Sequence, residues 1–324
     1  MRSVQMMGAA LALLALGNTC AQAQEQYPSK VVRIIVPTSP GGVTDILART
    51  LGNALSQQWG KPVVVENRVG GNELIGTGAV AKAPADGYTL LVTGSMPITG
   101  APNLQKQMPF DPMKDLTPVA LLAEITPMMH VPASSPIKSV QEFIAAAKAS
   151  PDKFNYGSFG NGTYAHLAME DFKQRTGIKI EHIAYKGSSP AVNALLKGEI
   201  SVLIVNLSNV AEQIRQGNIR TIAAAGSHRA SMRPDIPTIA ESGLPGFATG
   251  SWWGMFGPTN LPAAVLDKIR ADTGKILDTP EIRKFFESNT LERLNVPLAD
   301  FGKFLREDLD AVGKQMRNAG IRPE

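Results

Sequence analysis

The four histidines, His130, His166, His182 and His228, stand far apart without a His-x-x-x-His spacing, so the sequence offers no helix that aims two imidazoles at one metal ion. Ser158 has Tyr156 rather than glycine two positions before it, so the strand-turn-helix elbow that exposes a nucleophilic serine is missing. Ser158 with His166, which falls in the first turn of a following helix, is the pairing left for an exported hydrolase or transferase. His166 can equally cap or pack that helix. No metal and no cofactor is expected. The stretch Pro37-Thr38-Ser39-Pro40-Gly41-Gly42-Val43-Thr44-Asp45 is richer in binding chemistry. A strand that turns through glycines into a fresh helix puts unpaired N–H groups and the positive end of the helix dipole at one spot. Gly41 and Gly42 let the backbone form a concave nest of donors for a carboxylate; the alternative is a turn that binds nothing. There is no Gly-x-Gly-x-x-Gly and no Lys-Ser/Thr after the glycines, which disfavours nucleotide phosphate. Asp45, in the first helical turn, is favoured by the dipole whatever the function.

The elements that must position these residues alternate strand and helix, the pattern of parallel α/β layers. Strands are expected at 31–36, 63–66 and 88–93, with helices at about 43–59 and in a short segment ending before Pro84. Their carboxyl ends run into polar or glycine-rich loops at Pro37, Asn67 and Gly94-Ser95, and in an open α/β sheet such ends line a ligand crevice. Residues 121–131 read as one long apolar strand crossing to a new region. A second α/β set follows: a capping box at Ser139-Val140-Gln141-Glu142, a strand at 154–157, a glycine loop at 157–163, a helix at 164–176, and strands at 180–184, 201–205 and 221–225. Here too polar loops sit between strand and helix, as at Tyr185-Lys186-Gly187, and the strand at 201–205 ends in Asn206. Residues 233–247 read as surface loop, and Trp252-Trp253-Gly254-Met255-Phe256 as the return crossing, where the tryptophans either pack or stack on a ligand. The last helix, about 298–318, places Phe301, Phe304, Leu305, Leu309, Val312 and Met316 on one face. The strand-end side chains are Ser, Thr and Asn without arginine, which suits one or two carboxylates better than a phosphate or a tricarboxylate. Lys186 is either an anion partner or a solvated charge.

With 324 residues, 44% of them hydrophobic and 19% charged, the chain has the composition of a two-domain soluble protein. Its formal charge of +4 is spread along the sequence, so no basic stripe argues for nucleic acid. Arg2, an apolar run over 6–16 and Ala21-Gln22-Ala23 read as a cleaved export signal over 1–23. Cys20, the single cysteine, falls inside that segment, leaving a mature chain without thiol or disulfide chemistry.

Several motifs occur in order: Pro40-Gly41-Gly42-x-x-Asp45-x-x-Ala48-Arg49, Ala83-Pro84-x-Asp86-Gly87-Tyr88-Thr89-Leu90, Tyr156-Gly157-Ser158-x-Gly160-x-Gly162-Thr163-x-x-His166 and Tyr185-Lys186-Gly187 with Pro190-Ala191. Arg229, Pro237-Thr238, Glu241-Ser242-Gly243 and Trp253-Gly254-Met255-Phe256-Gly257-Pro258 extend the match. In this combination the chain resembles the Bug-type periplasmic solute-binding proteins of tripartite tricarboxylate transporters. The resemblance implies an α/β, two-lobed periplasmic-binding-protein fold of the Venus-flytrap, type II-like kind with a ligand cleft between lobes. Lobe 1 would comprise 24–125 and 251–324, and lobe 2 would comprise 126–250. It implies capture of a small organic carboxylate, or a related amino acid or aromatic acid, for transporter membrane subunits or a sensor kinase. It further implies a monomer in the periplasm with no nucleic-acid partner. Carried over, ligand contacts fall on Ser39, Gly41, Gly42, Val43 and Thr44, and across the cleft on Ser158, Gly162, Thr163, His166 and Asn206; Ser95 joins them as a strand-end residue. The sequence departs from the family pattern at Thr38, where an aromatic is common, and at Val69-Gly70-Gly71-Asn72-Glu73, which replaces a proline-glycine-alanine run.

Overall fold

The computed structural model describes residues 27–294 and 296–323. The expected export signal and Cys20 lie outside the described residues. Strand β1 (Val32–Val36) enters helix α1 (Val43–Trp59), followed by β2 (Val63–Asn67), α2 (Leu74–Ala81) and β3 (Thr89–Gly94). A π-turn at Met96–Gly100 and two single-turn helices, α3 (Ala101–Leu104) and α4 (Pro112–Asp115), lead to β4 (Leu116–Ile125) and β5 (Met128–Pro132). Then come α5 (Val140–Ala149), β6 (Asn155–Ser158), α6 (Tyr164–Thr176), β7 (Glu181–Ala184), α7 (Ser188–Leu196), β8 (Val202–Val205), α8 (Leu207–Arg215) and β9 (Ile219–Ala224). The chain returns through β10 (Ser251–Pro258) to α9 (Ala263–Leu277), α10 (Pro280–Asn289) and α11 (Phe301–Asn318).

Two five-stranded sheets result, ordered β2-β1-β3-β10-β4 and β7-β6-β8-β5-β9. Each is covered on both faces, which is why its inner strands are buried almost throughout, whereas the edge strands β2 and β7 are partly exposed. In β1, Val32, Ile34 and Val36 share a core with Leu47, Leu51 and Leu55 of α1, while Ile35 faces the opposite core with Phe301 and Leu305 of α11. The period of two in the strand thus meets the period of four in the helix. Helix α1 stops at Gly60, whose φ of 62° takes the left-handed turn that glycine adopts without strain.

The apolar run expected as one strand over 121–131 is two strands in different sheets. It breaks at Thr126-Pro127, where proline has no N–H for a ladder, and the Pro127 carbonyl instead accepts from Ala225 N–H (2.8 Å). The two crossings lie side by side and need glycine to do so. A Cβ on Gly250 would sit 2.7 Å from the Ile125 carbonyl oxygen, and one on Gly226 would sit 2.8 Å from Thr126 Cγ2. The segment 233–247, expected as surface loop, is pinned to the second core by buried Ile239, Leu244 and Phe247. The capping box also differs in detail. Ser139 Oγ accepts from Glu142 N–H (3.2 Å), but the Glu142 carboxylate reaches Lys138 N–H (2.6 Å) rather than the capping residue.

Register fixes which edges face each other. The parallel strands β1, β2 and β3 end at the sheet edge where β10 begins, since Gly94 pairs with Trp253 and Ser251 with Ile125. In the second sheet β6, β7 and β8 end where β5 begins, since Val205 pairs with Met128. The short link from Ile125 to Met128 therefore joins the carboxyl-end edge of one sheet to that of the other, and the strand-end loops of both halves face one cleft. Helix α11 packs against the first sheet's layer and also against α6, with Gln315 Nε2 donating to the Ala248 carbonyl (3.0 Å).

Candidate functional site

The cleft holds a cavity of about 420 Å³, within the roughly 300–1,000 Å³ usual for small-molecule sites. Its wall draws on the first half at Ser95, Thr99, Glu124 and Trp252, on the second half at Phe159, Gly162, Thr163 and Tyr164, and on α11 at Phe304 and Asp308. Ser95 and Ser251, from facing strand ends, share a hydrogen bond between hydroxyls (3.2 Å). Of the residues expected from sequence, Ser95, Gly162 and Thr163 line this cavity. Ser39, Gly41, Gly42, Val43 and Thr44 do not; they lie on the same rim, one strand over. The connection is Trp253, which flanks Gly94 and whose indole N–H donates to Thr44 Oγ1 (2.9 Å).

The glycine loop is held by an ion pair between the buried Asp45 carboxylate and the exposed Arg49. Asp45 accepts from Arg49 Nε (3.0 Å) and Arg49 Nη2 (2.9 Å), from Asn67 Nδ2 (2.9 Å) and from Gly41 N–H (2.9 Å). The Arg49 hydrogen bond, foremost among these, holds the Asp45 carboxyl down at about 2 despite burial. The Gly41 N–H, expected to face a ligand, is bonded to Asp45 in this structure. Gly42, at φ −78° and ψ 168°, is the N-cap of α1 and supplies no side-chain cap. No described residue accepts from its N–H, and Ser39, Gly41 and Gly42 are exposed. Asn67 Nδ2 also donates to the Thr38 carbonyl (3.0 Å), tying the loop to the end of β2. Beyond it Gly70, Gly71, Asn72 and Glu73 all have positive φ, and for Asn72 and Glu73 this is uncommon backbone at the cleft rim.

Across the cleft, Ser158 and His166, expected as ligand contacts, turn inward and do not line the cavity. Ser158 is fully buried, and its hydroxyl meets His182 Nε2 (2.7 Å) and both polar groups of Gly160. The histidine beside Ser158 is thus His182, not His166, and solvent does not reach the hydroxyl. His166 Nδ1 accepts from Gly162 N–H (3.1 Å), and its ring stacks on His182 (4.3 Å), which stacks on Tyr156 (4.7 Å). Burial, aided by His166, lowers the His182 pKa to about 4, and burial also lowers that of His166, so both are neutral rings at neutral pH. The stack braces the second glycine loop. Thr163 Oγ1 donates to the Gly160 carbonyl (2.7 Å), so the start of α6 has no side-chain cap of its own. Asn206 holds the N-cap position of α8 without a side-chain capping bond, and its Oδ1 lies 3.5 Å from the Tyr164 hydroxyl without reaching the cavity. Lys186 is exposed and does not line the cavity.

Two acidic residues on the cavity wall escaped the sequence reading. Asp308 Oδ2 accepts from Thr99 Oγ1 (2.6 Å) and Trp252 Nε1 (2.9 Å), and burial raises its pKa against those two donors. The signal was present: Asp308 falls on the apolar stripe of α11, four residues after Phe304 and four before Val312. Glu124 closes β4 beside the crossing. Burial lifts its pKa to about 7, with Glu292 adding to the rise and His228 opposing it. Glu124, His228 and Glu292 bring three ligand atoms within 4.8 Å of one another, a spacing compatible with a cation. However, Glu292 Oε1 already accepts from Ser231 N–H (2.8 Å) and Oε2 faces His228 Nε2 (3.1 Å), so the imidazole serves as the bridging group between the two carboxylates. His130 is a core residue. It donates from Nε2 to the Val205 carbonyl (3.2 Å), and burial lowers its pKa to about 4.

Among the described residues, no helix is long and apolar enough to cross a membrane. Residues 47–321 match the family model described as tripartite tricarboxylate transporter family receptor. The chain is 36% identical to the protein BugT of Bordetella pertussis over 263 residues, covering 81% of each. Among solved structures it resembles R. palustris Rpa4515 with adipate, at 30% identity and TM-score 0.73, covering 92% of this chain and all of that one. It also resembles MatC from Rhodopseudomonas palustris with bound malate, at 26% identity and TM-score 0.68, covering 89% of this chain and 99% of that one.

Proposed function

The chain belongs to the tripartite tricarboxylate transporter receptor family, and on that premise we propose that it captures a small organic acid in the cleft between two lobes. We assign residues 24–125 and 251–324 to lobe 1 and 126–250 to lobe 2, working as an exported monomer whose signal ends at Ala23. The loaded receptor then delivers its acid to transporter membrane subunits or to a sensor kinase.

The observation that carries this reading is the cavity of about 420 Å³ walled by strand-end loops of both halves, with the uncapped start of α1 on the same rim. An uncapped helix N-terminus favours an anion through its dipole and its free amides together. The carboxylates named with two solved relatives, adipate and malate, suit such a rim. In this protein we place the carboxylate at the amides of Gly42, Val43 and Thr44 beside the Ser39 hydroxyl, with Ser95, Gly162 and Thr163 contacting the rest of the molecule. The hydrolase or transferase reading has less support, because the Ser158 hydroxyl is fully buried and hydrogen-bonded within its own loop.

Native mass spectrometry of protein purified without denaturation tests the proposal. The expected spectrum contains a species heavier by one small acid, released on unfolding and identifiable by its mass. A chain that carries none, and that binds no carboxylic acid on titration, would remove the receptor reading.

A further inference from the structure

The cavity wall has an unusual charge. Among the described residues, Glu124 and Asp308 are its acidic side chains, Tyr164 is its other ionisable group, and no lysine, arginine or histidine lines it. Asp308 is held in one orientation by donors from two other elements, Thr99 in the π-turn and Trp252 in β10, both bonded to the same oxygen, Oδ2. Its other oxygen, Oδ1, accepts from no described residue. The remaining wall is largely apolar and aromatic, with Phe159, Trp252 and Phe304 among it. Resting on the receptor reading above, we propose that the acid held here carries a nitrogen donor end, an ammonium or a primary amide, opposite its carboxylate, and that Asp308 recognises that end.

The argument is one of matching charge. A carboxylate at the α1 rim meets free amides. A second carboxylate reaching Asp308 would meet an acidic side chain with no lining cation beside it, and a buried unpaired charge is strongly unfavourable. An N–H donor instead satisfies Asp308 Oδ1 and leaves no group unpaired. The aromatic walls accept a short hydrocarbon body between the two ends, and the Trp252 face adds attraction if the far end is a cation. The preference would separate this receptor from the dicarboxylate-bound relatives, and the residue responsible is on the helix that closes the cavity.

Calorimetric titration of the mature protein with three six-carbon acids that differ only at one end tests this: hexanedioate, its monoamide, and 6-aminohexanoate. The amine or the amide is expected to bind at least about ten-fold more tightly than hexanedioate, the effect of one hydrogen bond to a charged group. Tighter binding of the amine identifies charge as the selected feature; tighter binding of the amide identifies the donor alone. In Asp308→Asn, which keeps an acceptor for Thr99 and Trp252, the preference should vanish. The comparison on the unmodified protein decides by itself if that variant does not fold. Hexanedioate binding as tightly as the other two overturns this inference and leaves the receptor reading intact. Failure of all three to bind overturns this inference, while the receptor reading falls only if the protein also carries no co-purified acid.

Discussion

Gly42→Pro isolates the backbone donor on which the carboxylate site depends. Gly42 has φ −78°, inside the range proline fixes, and ψ 168°, so the substitution deletes the N–H at a position whose own backbone proline accepts. Every charge in the protein is unchanged. A hydrogen bond to a charged group contributes roughly 1.5–3 kcal/mol, so its loss should weaken carboxylate binding by about ten-fold to somewhat over a hundred-fold. Gly42→Ala is the matched control. Its Cβ would meet nothing closer than the Ser39 carbonyl oxygen at 3.7 Å, an ordinary contact, and its N–H remains. Both substitutions restrict the unfolded chain and should leave stability equal or higher by about 0.4–1 kcal/mol. Urea unfolding establishes that both fold, and calorimetric titration with the co-purified acid supplies the affinities. The reasoning fails if folded Gly42→Pro binds as tightly as the parent, or if Gly42→Ala loses as much affinity as Gly42→Pro.

Three further outcomes follow from the packing around the cleft. Gly76→Ala would put a Cβ 2.6 Å from the Arg68 carbonyl oxygen and 3.0 Å from Pro37 Cα, so α2 must move off the loop; a loss of about 1–3 kcal/mol in urea unfolding is expected, with weaker ligand binding. Trp253→Phe removes the donor to buried Thr44 Oγ1 and should cost about 1–3 kcal/mol by the same measurement, whereas Trp253→Phe combined with Thr44→Val should recover part of that loss. Because the Glu124 pKa is raised to about 7 in the fold, the native state takes up its proton more readily than the unfolded chain. Glu124 therefore burdens stability increasingly as pH rises from about 4.5 to about 7. Glu124→Gln should stabilise the protein by on the order of 1–3 kcal/mol at about pH 8 and by much less at about pH 4.5, and a gain equal at both pH values would refute the assignment.

The α/β alternation and most element bounds were legible because they rest on local patterns. Helix α6 spans 164–176 as its sequence suggests, bounded by a glycine loop and by Gly177 at φ 72°. The break at Thr126-Pro127 was harder to see, because both sides are equally apolar and only the sheet each half joins tells them apart. Helix α8 after Asn206 was likewise left unread, since nothing local distinguished its start from the other polar strand ends. The candidate site divides the same way. Strand-end loops are a topological consequence of parallel sheets, so Ser95, Gly162 and Thr163 were within reach. What a polar group is already bonded to is a three-dimensional fact, so the partners that Gly41, Ser158 and His166 find within the protein were not legible. Asp308 was missed because its partner Thr99 lies 209 residues away. The charge on an apolar stripe was its only sequence trace.

A crystal structure of the protein with its co-purified acid is the most direct test of capture in the cleft. The account predicts density for a carboxylate against the Gly42, Val43 and Thr44 amides, with the body of the molecule passing Ser95 and its far end at Asp308. Density for the acid outside the cleft, or a carboxylate paired with an arginine or lysine away from the α1 rim, would contradict it.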